Sequence, residues 1–140
     1  MEKLTVCVCI DDKGGMAFNH RRQSRDRIQQ QDMLRACGGR PLRISPRSAS
    51  LFGEGTAVEA SEDYLSHAGP EDFCFVEEPP LLPWAEKIHR LILYRWGRAY
   101  PADSYLDIDL TEGWQLQESA ELPGYSHEKI TKETYIPCRK

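Results

Sequence analysis

Three short apolar runs, each ended by polar or glycine residues, divide the first two thirds of this chain. Leu4–Ile10 runs into a glycine-rich turn at 11–15, and residues 73–76 end at the acidic and proline-rich sequence 77–80. The longest run, residues 88–96, is rich in Leu, Ile and Tyr, and its periodicity alone is typical of either a buried strand or a buried helix. The two shorter runs lie between turn signals and predict strands covered on both faces, as in a parallel sheet.

Polar caps and glycine pairs between these runs predict short helices. Ser24 is the predicted N-cap of a helix that closes at the glycine pair 38–39. A short strand is expected at 42–44, the first turn of a helix with hydroxyl caps at 48–52, and a short helix at 63–68. The weak apolar stripe of the first helix consists of Ile28, Met33, Leu34 and Cys37.

The C-terminal part of the chain alternates polar and apolar residues. Residues 114–121 and 128–136 are joined by Pro-Gly-Tyr at 123–125, which predicts a terminal antiparallel pair of strands. Together these elements predict an α/β fold with a mixed sheet, mostly parallel with an antiparallel C-terminal edge and flanked by short helices. A chain of 140 residues is too short for two ordinary domains, so residues 1–140 are expected to form a single domain.

The distribution of charge is more informative than its total. A formal net charge of −4 and a pI near 5.6 argue against a general nucleic-acid coat protein. No Lys or Arg occurs between Ser48 and Glu86, a stretch rich in acids, whereas arginines crowd the first third of the chain. This polarity supports one hypothesis, a protein-interaction module whose basic first third docks on the acidic middle of a second copy as a homodimer. The arginines are Arg21, Arg22, Arg25, Arg27, Arg35, Arg40, Arg43 and Arg47.

Targeting signals and cysteine pairs are not found in the sequence. No apolar run approaches the roughly 18 residues that a membrane span needs, and the N-terminal sequence carries acids where a signal peptide would have its cleavage region. We therefore expect a cytoplasmic protein without a membrane partner. The five cysteines form no CxxC pair and are expected to be small buried hydrophobes.

Residues 91–107, LILYRWGRAYPADSYLD, match without a gap the strand, connection and aspartate of one enzyme family, whose version reads roughly L-x-L-T-x-I-x-x-x-x-x-G-D-x-x-F-P. Three further segments align in order: the opening strand with residues 14–16, residues 41–52 against P-V-I-M-G-R-K-T-Y-E-S-I, and residues 75–78 against V-I-G-G. On these segments the chain resembles the dihydrofolate reductases. The resemblance implies a dihydrofolate-reductase-like sheet, makes residues 88–96 a strand, and implies that Asp103 is a structural carboxylate that accepts backbone N–H bonds at its turn.

The segments that hold the dinucleotide in that family are altered in this chain. Ser45 and Pro46 replace the family's Gly-Arg, and Ser48 replaces its phosphate-contacting Thr. Glu77 and Glu78 replace paired glycines, and their side chains would fill the space and repel a pyrophosphate. The comparison therefore implies no cofactor and no NADPH binding in the family's manner.

The family's catalytic positions are altered as well. Its L-P-W after the first loop is replaced by residues 21–23. No Asp or Glu of this chain aligns with the family's carboxylate that helps to protonate the pterin, because Asp26 and Asp32 fall to either side of that position. Tyr94 aligns with the Thr that supports that carboxylate. The resemblance thus implies the scaffold without the hydride-transfer residues, which argues against reductase activity and leaves any other catalysis open.

The chain also resembles a set of short Firmicute proteins often labelled ribonuclease Z. A zinc-dependent ribonuclease Z needs an H-x-H-x-D-H cluster for two zinc ions, whereas the four histidines here are scattered singly. The sequence therefore predicts no metal site and argues against that activity. His127 lies in the sequence YSHEK at 125–129, which is expected to be an ordinary strand start without a Ser–His pair.

The predicted ligand-binding site is the edge of the sheet at which polar residues concentrate, because ligands of doubly wound sheets bind beyond the carboxyl ends of the parallel strands. Those ends are expected at 11–12, Ser45 and 77–78, with the loop 18–26 across the same opening. Arg21, Arg22 and Arg25 beside a helix N-terminus would suit a phosphate or carboxylate. The alternative is a solvated face of arginines paired with nearby acids.

Glu77 is the leading acid–base candidate, because a carboxylate forced against an apolar strand is easier to protonate. Its alternative role is a structural ion pair with an arginine of the loop, and Asp12 is a weaker candidate base. We expect a binding or sensing protein for a small anionic ligand, a nucleotide being one candidate, or else an enzyme with Glu77 or Asp12 as general base. Four of these groups, Arg21, Arg22, Asp26 and Glu77, are expected to meet at one cleft. The predicted ligand-binding residues are Arg21, Arg22, Gln23, Ser24, Asp26, Ser45, Ser48 and Tyr94.

Overall fold

A computed structural model describes residues 4–53, 55–69, 71–78 and 80–138 of the protein. It contains one α-helix, α1 (Arg27–Ala36), two 3-10 helices (Pro46–Leu51 and Leu82–Trp84) and ten strands in the described part of the chain. The strands are β1 (Leu4–Ile10), β2 (Gly15–Phe18), β3 (Arg21–Arg22), β4 (Leu42–Ile44), β5 (Val58–Ala60), β6 (Phe73–Phe75), β7 (Ile88–Arg95), β8 (Ser104–Tyr105), β9 (Trp114–Leu122) and β10 (Ile130–Pro137).

Seven of the strands form one mixed sheet in the order β5-β4-β6-β1-β7-β10-β9. The first five are parallel to one another, and β10 is antiparallel to both β7 and β9. This confirms the predicted mostly parallel sheet with an antiparallel C-terminal edge. It also confirms the strand interpretation of residues 88–96, and the carboxyl ends of β1, β4, β6 and β7 consequently lie at one edge.

Both faces of the central strand β1 are buried, which explains its continuous apolar sequence. Alternation sends Leu4, Val6 and Val8 into one core cluster and Cys7 into the other. Met33 of α1 is fully buried in the second cluster, so the helix covers that face of the sheet.

The helix α1 begins at a different cap from the predicted one. Asp26, not Ser24, is the N-cap, and its Oδ1 accepts from the backbone N–H of Ile28 at 2.9 Å and of Gln29 at 3.4 Å. Serine and aspartate are both good caps, but a carboxylate also interacts favourably with the positive end of the helix dipole. The predicted cap was therefore two residues early.

Two other predicted helices were wrong in type. The helix expected at 48–52 is a 3-10 helix, Pro46–Leu51, and its flanking Ser45 makes no side-chain cap bond. The segment 63–68 forms turns, although the His67 N–H donates to the Asp63 carbonyl at 3.1 Å. A Gly-Pro sequence follows at 69–70, and the backbone restriction before proline disfavours continuation of a helix.

A second sheet, in the order β3-β2-β8, was not predicted from the sequence. A two-residue loop, Asn19 and His20, joins β2 to β3 with φ angles of 51° and 60°, as a type I′ hairpin requires. Asp103 accepts from the Asn19 N–H at 3.1 and 3.2 Å. The predicted backbone-binding role of Asp103 is thus present in the geometry, but its partner is this hairpin and not its own turn.

The cysteines are mostly small buried groups, as expected. Burial raises the pKa of Cys37 to about 11 and that of Cys74 to about 12. Cys138 differs from the expectation because it is exposed. Across the described residues, no helix has the length and apolar character needed to cross a membrane.

Candidate functional site

Polar side chains follow the carboxyl ends of the parallel strands, and they form two separate clusters. Glu77 follows β6 and Ser45 follows β4, and both line an open cleft. The second group surrounds the buried His127, whose ring packs against Trp96 at the end of β7. We call the residues that line the open cleft the Glu77 cleft, and we call the group around His127 the His127 cluster.

The Glu77 cleft has a volume of about 540 Å³. The β2–β3 hairpin supplies its basic side chains, the 3-10 helix after β4 supplies hydroxyls, and the residues after β6 supply acids. Its lining residues are His20, Arg21, Arg22, Ser45, Arg47, Ser48, Ser50, Tyr64, Glu77 and Glu78.

Glu77 is held by two neighbours within the cleft. Its Oε2 accepts from the Arg22 Nε at 2.6 Å, and its Oε1 accepts from the Arg22 Nη2 at 3.0 Å and the Ser48 hydroxyl at 2.7 Å. The Glu77 side chain is only 16% exposed. The hydrogen bond that Arg22 donates to Glu77 raises the pKa of Arg22, as expected for a two-pronged guanidinium–carboxylate pair.

Glu78 is held more loosely at the mouth of the cleft. It accepts from the Arg47 Nη1 at 3.1 Å and lies 3.0 Å from the His20 Nδ1. Arg47 and His20 are largely exposed, so water and salt screen these contacts.

Arg21 differs from the other arginines of the cleft because it is exposed and has no acid partner among the described residues. No acceptor contacts its guanidinium within the ranges that the structure describes. The three arginines of the lining face two glutamates, which leaves one positive charge in excess when His20 is neutral.

Other arginines of the first third are paired with acids of the middle of the same chain. Arg43 Nε lies 3.0 Å from Asp72, Arg43 Nη1 lies 3.1 Å from Glu59, and Arg40 lies 3.7 Å from Asp72. The charge polarity of the sequence is therefore partly neutralised inside one molecule.

Asp12 does not lie in the cleft. Its side chain is exposed in the turn after β1 and is not among the lining residues. The preceding Asp11 is the buried carboxylate, and it accepts from Lys13 N–H, Gly15 N–H, Tyr100 N–H and the amide of Gln23. Burial opposes its charge, but these hydrogen bonds hold the pKa of Asp11 below its usual value.

Tyr94 does not lie in the cleft either. It is fully buried in the core cluster beneath α1, and its hydroxyl donates to Asp32 Oδ2 at 2.7 Å. Lys132 Nζ lies 2.8 Å from the same Asp32 oxygen. The alternation of β7 accounts for this, because it places Tyr94 on the face of the sheet that the helix covers.

Asp26 and Ser24 belong to the His127 cluster, away from the acids of the cleft. Asp26 Oδ2 lies 3.0 Å from His127 Nδ1, and His127 Nε2 lies 3.0 Å from the Ser24 hydroxyl and 2.9 Å from the Tyr100 hydroxyl. The His127 ring stacks on Trp96 with centroids 4.6 Å apart. Asp26 and His127 are almost completely buried, with side-chain exposures of 0% and 2%.

The Asp26 carboxylate also holds the turn between β9 and β10. Its oxygens accept from the backbone N–H groups of Tyr125, Ser126 and His127 at 2.8–3.2 Å. Burial opposes its charge, but the bonds from His127 and from backbone N–H groups hold its pKa well below the usual range. The expected meeting of Asp26 with Glu77 is therefore wrong, because Asp26 is fully engaged elsewhere.

His127 is the functional candidate that the sequence did not reveal. Strand β10 begins at Ile130, so residues 125–129 form a turn and not the predicted strand start. His127 contacts two serines: the Ser126 hydroxyl lies 3.2 Å from Nδ1, contrary to the expectation of no adjacent Ser–His pair, and Ser24, which lies at Nε2, is 103 residues away in sequence. Only the fold brings these groups together, and no local pattern marks them.

Gln23 lies between the two clusters. Its amide donates to Asp11 at 3.1 Å, while its Oε1 is buried without a hydrogen-bond partner among the described residues. Beside it a narrow cavity of about 10 Å³, lined in part by Arg22, Ser24 and Glu77, connects the two regions. Among the described residues, no group of three or more His, Cys, Asp or Glu side chains is arranged to hold a metal ion.

The structure is similar to that of dihydrofolate reductase from Enterococcus faecalis, solved in complex with NADP(H) and RAB-propyl. The TM-score is 0.72, and the match covers 98% of this chain and 97% of that chain at 10% sequence identity. The chain has a dihydrofolate-reductase-like fold. No family model and no curated protein sequence matches it. At this identity the likeness extends to the fold, so the chemistry of the site depends on the residues described above.

Proposed function

We propose that the protein binds a small anionic ligand in the Glu77 cleft. The observation that carries this proposal is Arg21, an exposed guanidinium in a cleft of about 540 Å³ without a carboxylate partner in the described part of the chain. A guanidinium offers paired donors that match the oxygens of a phosphate or carboxylate. The volume lies within the roughly 300–1,000 Å³ typical of small-molecule sites.

The acids of the cleft restrict the charge of its ligand. Glu77 and Glu78 lie among the lining residues, where they repel a highly charged group such as the pyrophosphate of NADP(H). A ligand with one phosphate or carboxylate, such as a mononucleotide, needs only Arg21 and the serine hydroxyls for its charge. Tyr64 lines the same cleft and offers a ring against which a base can stack.

A second candidate is an enzyme in which Glu77 is the general base. Its favouring observation is that Glu77 is 16% exposed and lines the cleft. The bonds from Arg22 and Ser48 to the two carboxylate oxygens occupy positions where a proton would be accepted. Binding without proton transfer is therefore the better-supported function of this cleft.

A homodimer formed by basic and acidic segments has less support. Arg22, Arg40, Arg43 and Arg47 each contact an acid of the same chain. Docking on a second copy would exchange these contacts for equivalent ones and would gain little electrostatic energy.

Thermal denaturation with added inorganic phosphate or adenosine monophosphate tests the proposal. A ligand that binds only the folded state raises the melting temperature by mass action, so millimolar amounts of either probe should raise it. Arg21→Ala should abolish that rise with little change in the ligand-free melting temperature. Arg98→Ala removes the same charge from an exposed residue outside the cleft and should leave the rise intact. Equal responses of the two variants, or no response of the wild type, would contradict the proposal.

Calorimetry with NADPH tests the restriction on charge. We expect no binding at micromolar affinity, because Glu77 and Glu78 occupy the cleft. Tight binding of NADPH would show that these acids do not exclude a pyrophosphate.

A further inference from the structure

The His127 cluster has the arrangement of an activated nucleophile. Asp26, His127 and Ser24 form a continuous chain of hydrogen bonds, with 3.0 Å between carboxylate and Nδ1 and 3.0 Å between Nε2 and the serine hydroxyl. Such a triad is recognised by its geometry and not by sequence order. The cluster is distinct from the Glu77 cleft and uses none of its acids.

The protonation states follow from the partners. An ionised carboxylate only accepts hydrogen bonds, so Nδ1 of neutral His127 carries the proton that Asp26 accepts. Nε2 is then an acceptor for the hydroxyls of Ser24 and Tyr100. Stacking on Trp96 and near-complete burial fix the ring in this orientation.

Ser24 differs from the two buried members because it is partly exposed. It borders the narrow cavity of about 10 Å³, which has room for a group about the size of one water molecule. The backbone N–H groups of Ser24 and Arg25 have no acceptor among the described residues. An N–H group without an acceptor is the kind of donor that stabilises an oxygen that becomes negatively charged next to a serine.

We infer that Ser24 is a nucleophile that cleaves carboxylic esters which reach its exposed side. The Ser24 oxygen attacks the carbonyl carbon while its proton passes to His127 Nε2, and the buried Asp26 stabilises the imidazolium that forms. His127 then returns the proton to the departing alkoxide, which leaves as an alcohol and gives an acyl-Ser24 ester. Water attacks this ester by the same proton transfers, which releases the carboxylic acid and restores the serine. The cavity beside Ser24 has room for about one water molecule and not for an acyl group, so the ester has to approach Ser24 from its exposed side.

Hydrolysis of p-nitrophenyl acetate and labelling by a fluorophosphonate probe test the inference. The wild-type protein should release p-nitrophenol above the background rate, and mass spectrometry should locate the probe on Ser24. Ser24→Ala should abolish the labelling, and His127→Gln should lower both rates by about 10²-fold or more, the usual contribution of a general base. Ser66→Ala is the matched control, because Ser66 is exposed and its hydroxyl donates to the Asp63 carbonyl of its own turn, and it should react like the wild type.

Circular dichroism establishes that each variant is folded. If His127→Gln does not fold, Ser24→Ala still decides, because it removes one hydroxyl from a partly exposed position. Wild-type labelling at a residue other than Ser24, hydrolysis unchanged in Ser24→Ala, or the absence of both reactions in the wild type would overturn the inference and leave the cluster a structural one.

Discussion

The Glu77 cleft and the His127 cluster lie along the same edge of the sheet and use similar groups, but the partners of Glu78 in the cleft are exposed, whereas the Asp26–His127 pair of the cluster is buried. Arg47 and His20, the partners of Glu78, are 67% and 74% exposed, whereas His127 and Asp26 are 2% and 0% exposed. Exposed ion pairs contribute about 0–1 kcal/mol, while loss of one partner from a buried pair costs about 3–5 kcal/mol. The comparison teaches that loss of an exposed ion pair of the cleft should cost little stability, whereas loss of Asp26 or His127 from the buried pair should cost much more.

The largest expected effect is that of Asp26→Ala. This change removes the helix cap, the partner of His127 and the acceptor of three backbone N–H groups in the β9–β10 turn. We expect the free energy of unfolding to fall by about 3–5 kcal/mol, measured by urea denaturation. Asp12→Ala, which removes an exposed carboxylate at the same edge, should change it by less than about 0.5 kcal/mol. Equal losses in the two variants would break the comparison.

A low pH should remove part of the stabilisation that Asp26 provides. The pKa of Asp26 is lowered in the folded state, so its contribution is complete above the unfolded value of about 3.9 and is lost as pH falls through the folded pKa. Urea denaturation of the wild type over a pH series should therefore show a decline in stability below about pH 4. Asp26→Asn should have a shallower decline. A parallel decline in the variant would assign the acid sensitivity to other carboxylates.

A methyl group added to the turn above the cluster should have a smaller effect. A Cβ at Gly124 would lie 2.5 Å from the His127 carbonyl oxygen and 2.9 Å from Asp26 Oδ2. Gly124→Ala should lower the free energy of unfolding by about 1–3 kcal/mol, as other overpacked positions do. Gly53→Ala is the control, because no atom lies within 4 Å of its added Cβ. An unchanged melting temperature for Gly124→Ala would show that the turn can move away from the cluster.

The smallest effects are expected in the cleft, and they should differ between its two ion pairs. Arg22→Ala breaks the two-pronged, partly buried pair with Glu77 and should cost about 1–2 kcal/mol. Arg47→Ala removes an exposed contact with Glu78 and should cost less than about 0.5 kcal/mol. Urea denaturation of both variants measures the difference. If Arg47→Ala cost as much as Arg22→Ala, exposure would not be the property that separates these contacts.

The sequence predicted those parts of the fold in which local pattern and burial agree. β1 and β4 have the predicted bounds because each apolar run lies between strong turn signals. The strands of the second sheet have only two to four residues, too few for a periodic pattern to appear. The cap of α1 was misplaced because Ser24 and Asp26 are both suitable residues and only the packing of the β9–β10 turn selects between them.

The candidate site could be predicted only where it depends on the ends of strands or on aligned positions. Strand ends indicated Glu77 and Ser45 at one edge, the family alignment indicated Ser48, and a loop at 18–26 was expected across the same opening. The structure places these three residues in the lining of one cleft, with the loop formed as a hairpin. Tyr94 was wrongly assigned to the binding site. The alignment located it on β7, but it could not show that α1 covers the face of the sheet on which Tyr94 lies. The His127 cluster depends on contacts between residues about a hundred positions apart, and a single sequence contains no record of such contacts.

The partners of Asp26 fall into a local set and a distant set. Oδ1 accepts from Ile28 and Gln29, which follow within three residues, so this part of the cap can form as soon as the helix has been synthesised, and it also accepts from the distant Tyr125. The partners of Oδ2, Ser126 and His127, are about a hundred residues further along the chain. During translation, Asp26 can therefore cap the helix before its distant partners have been synthesised. The carboxylate is buried only when the C-terminal hairpin packs against it.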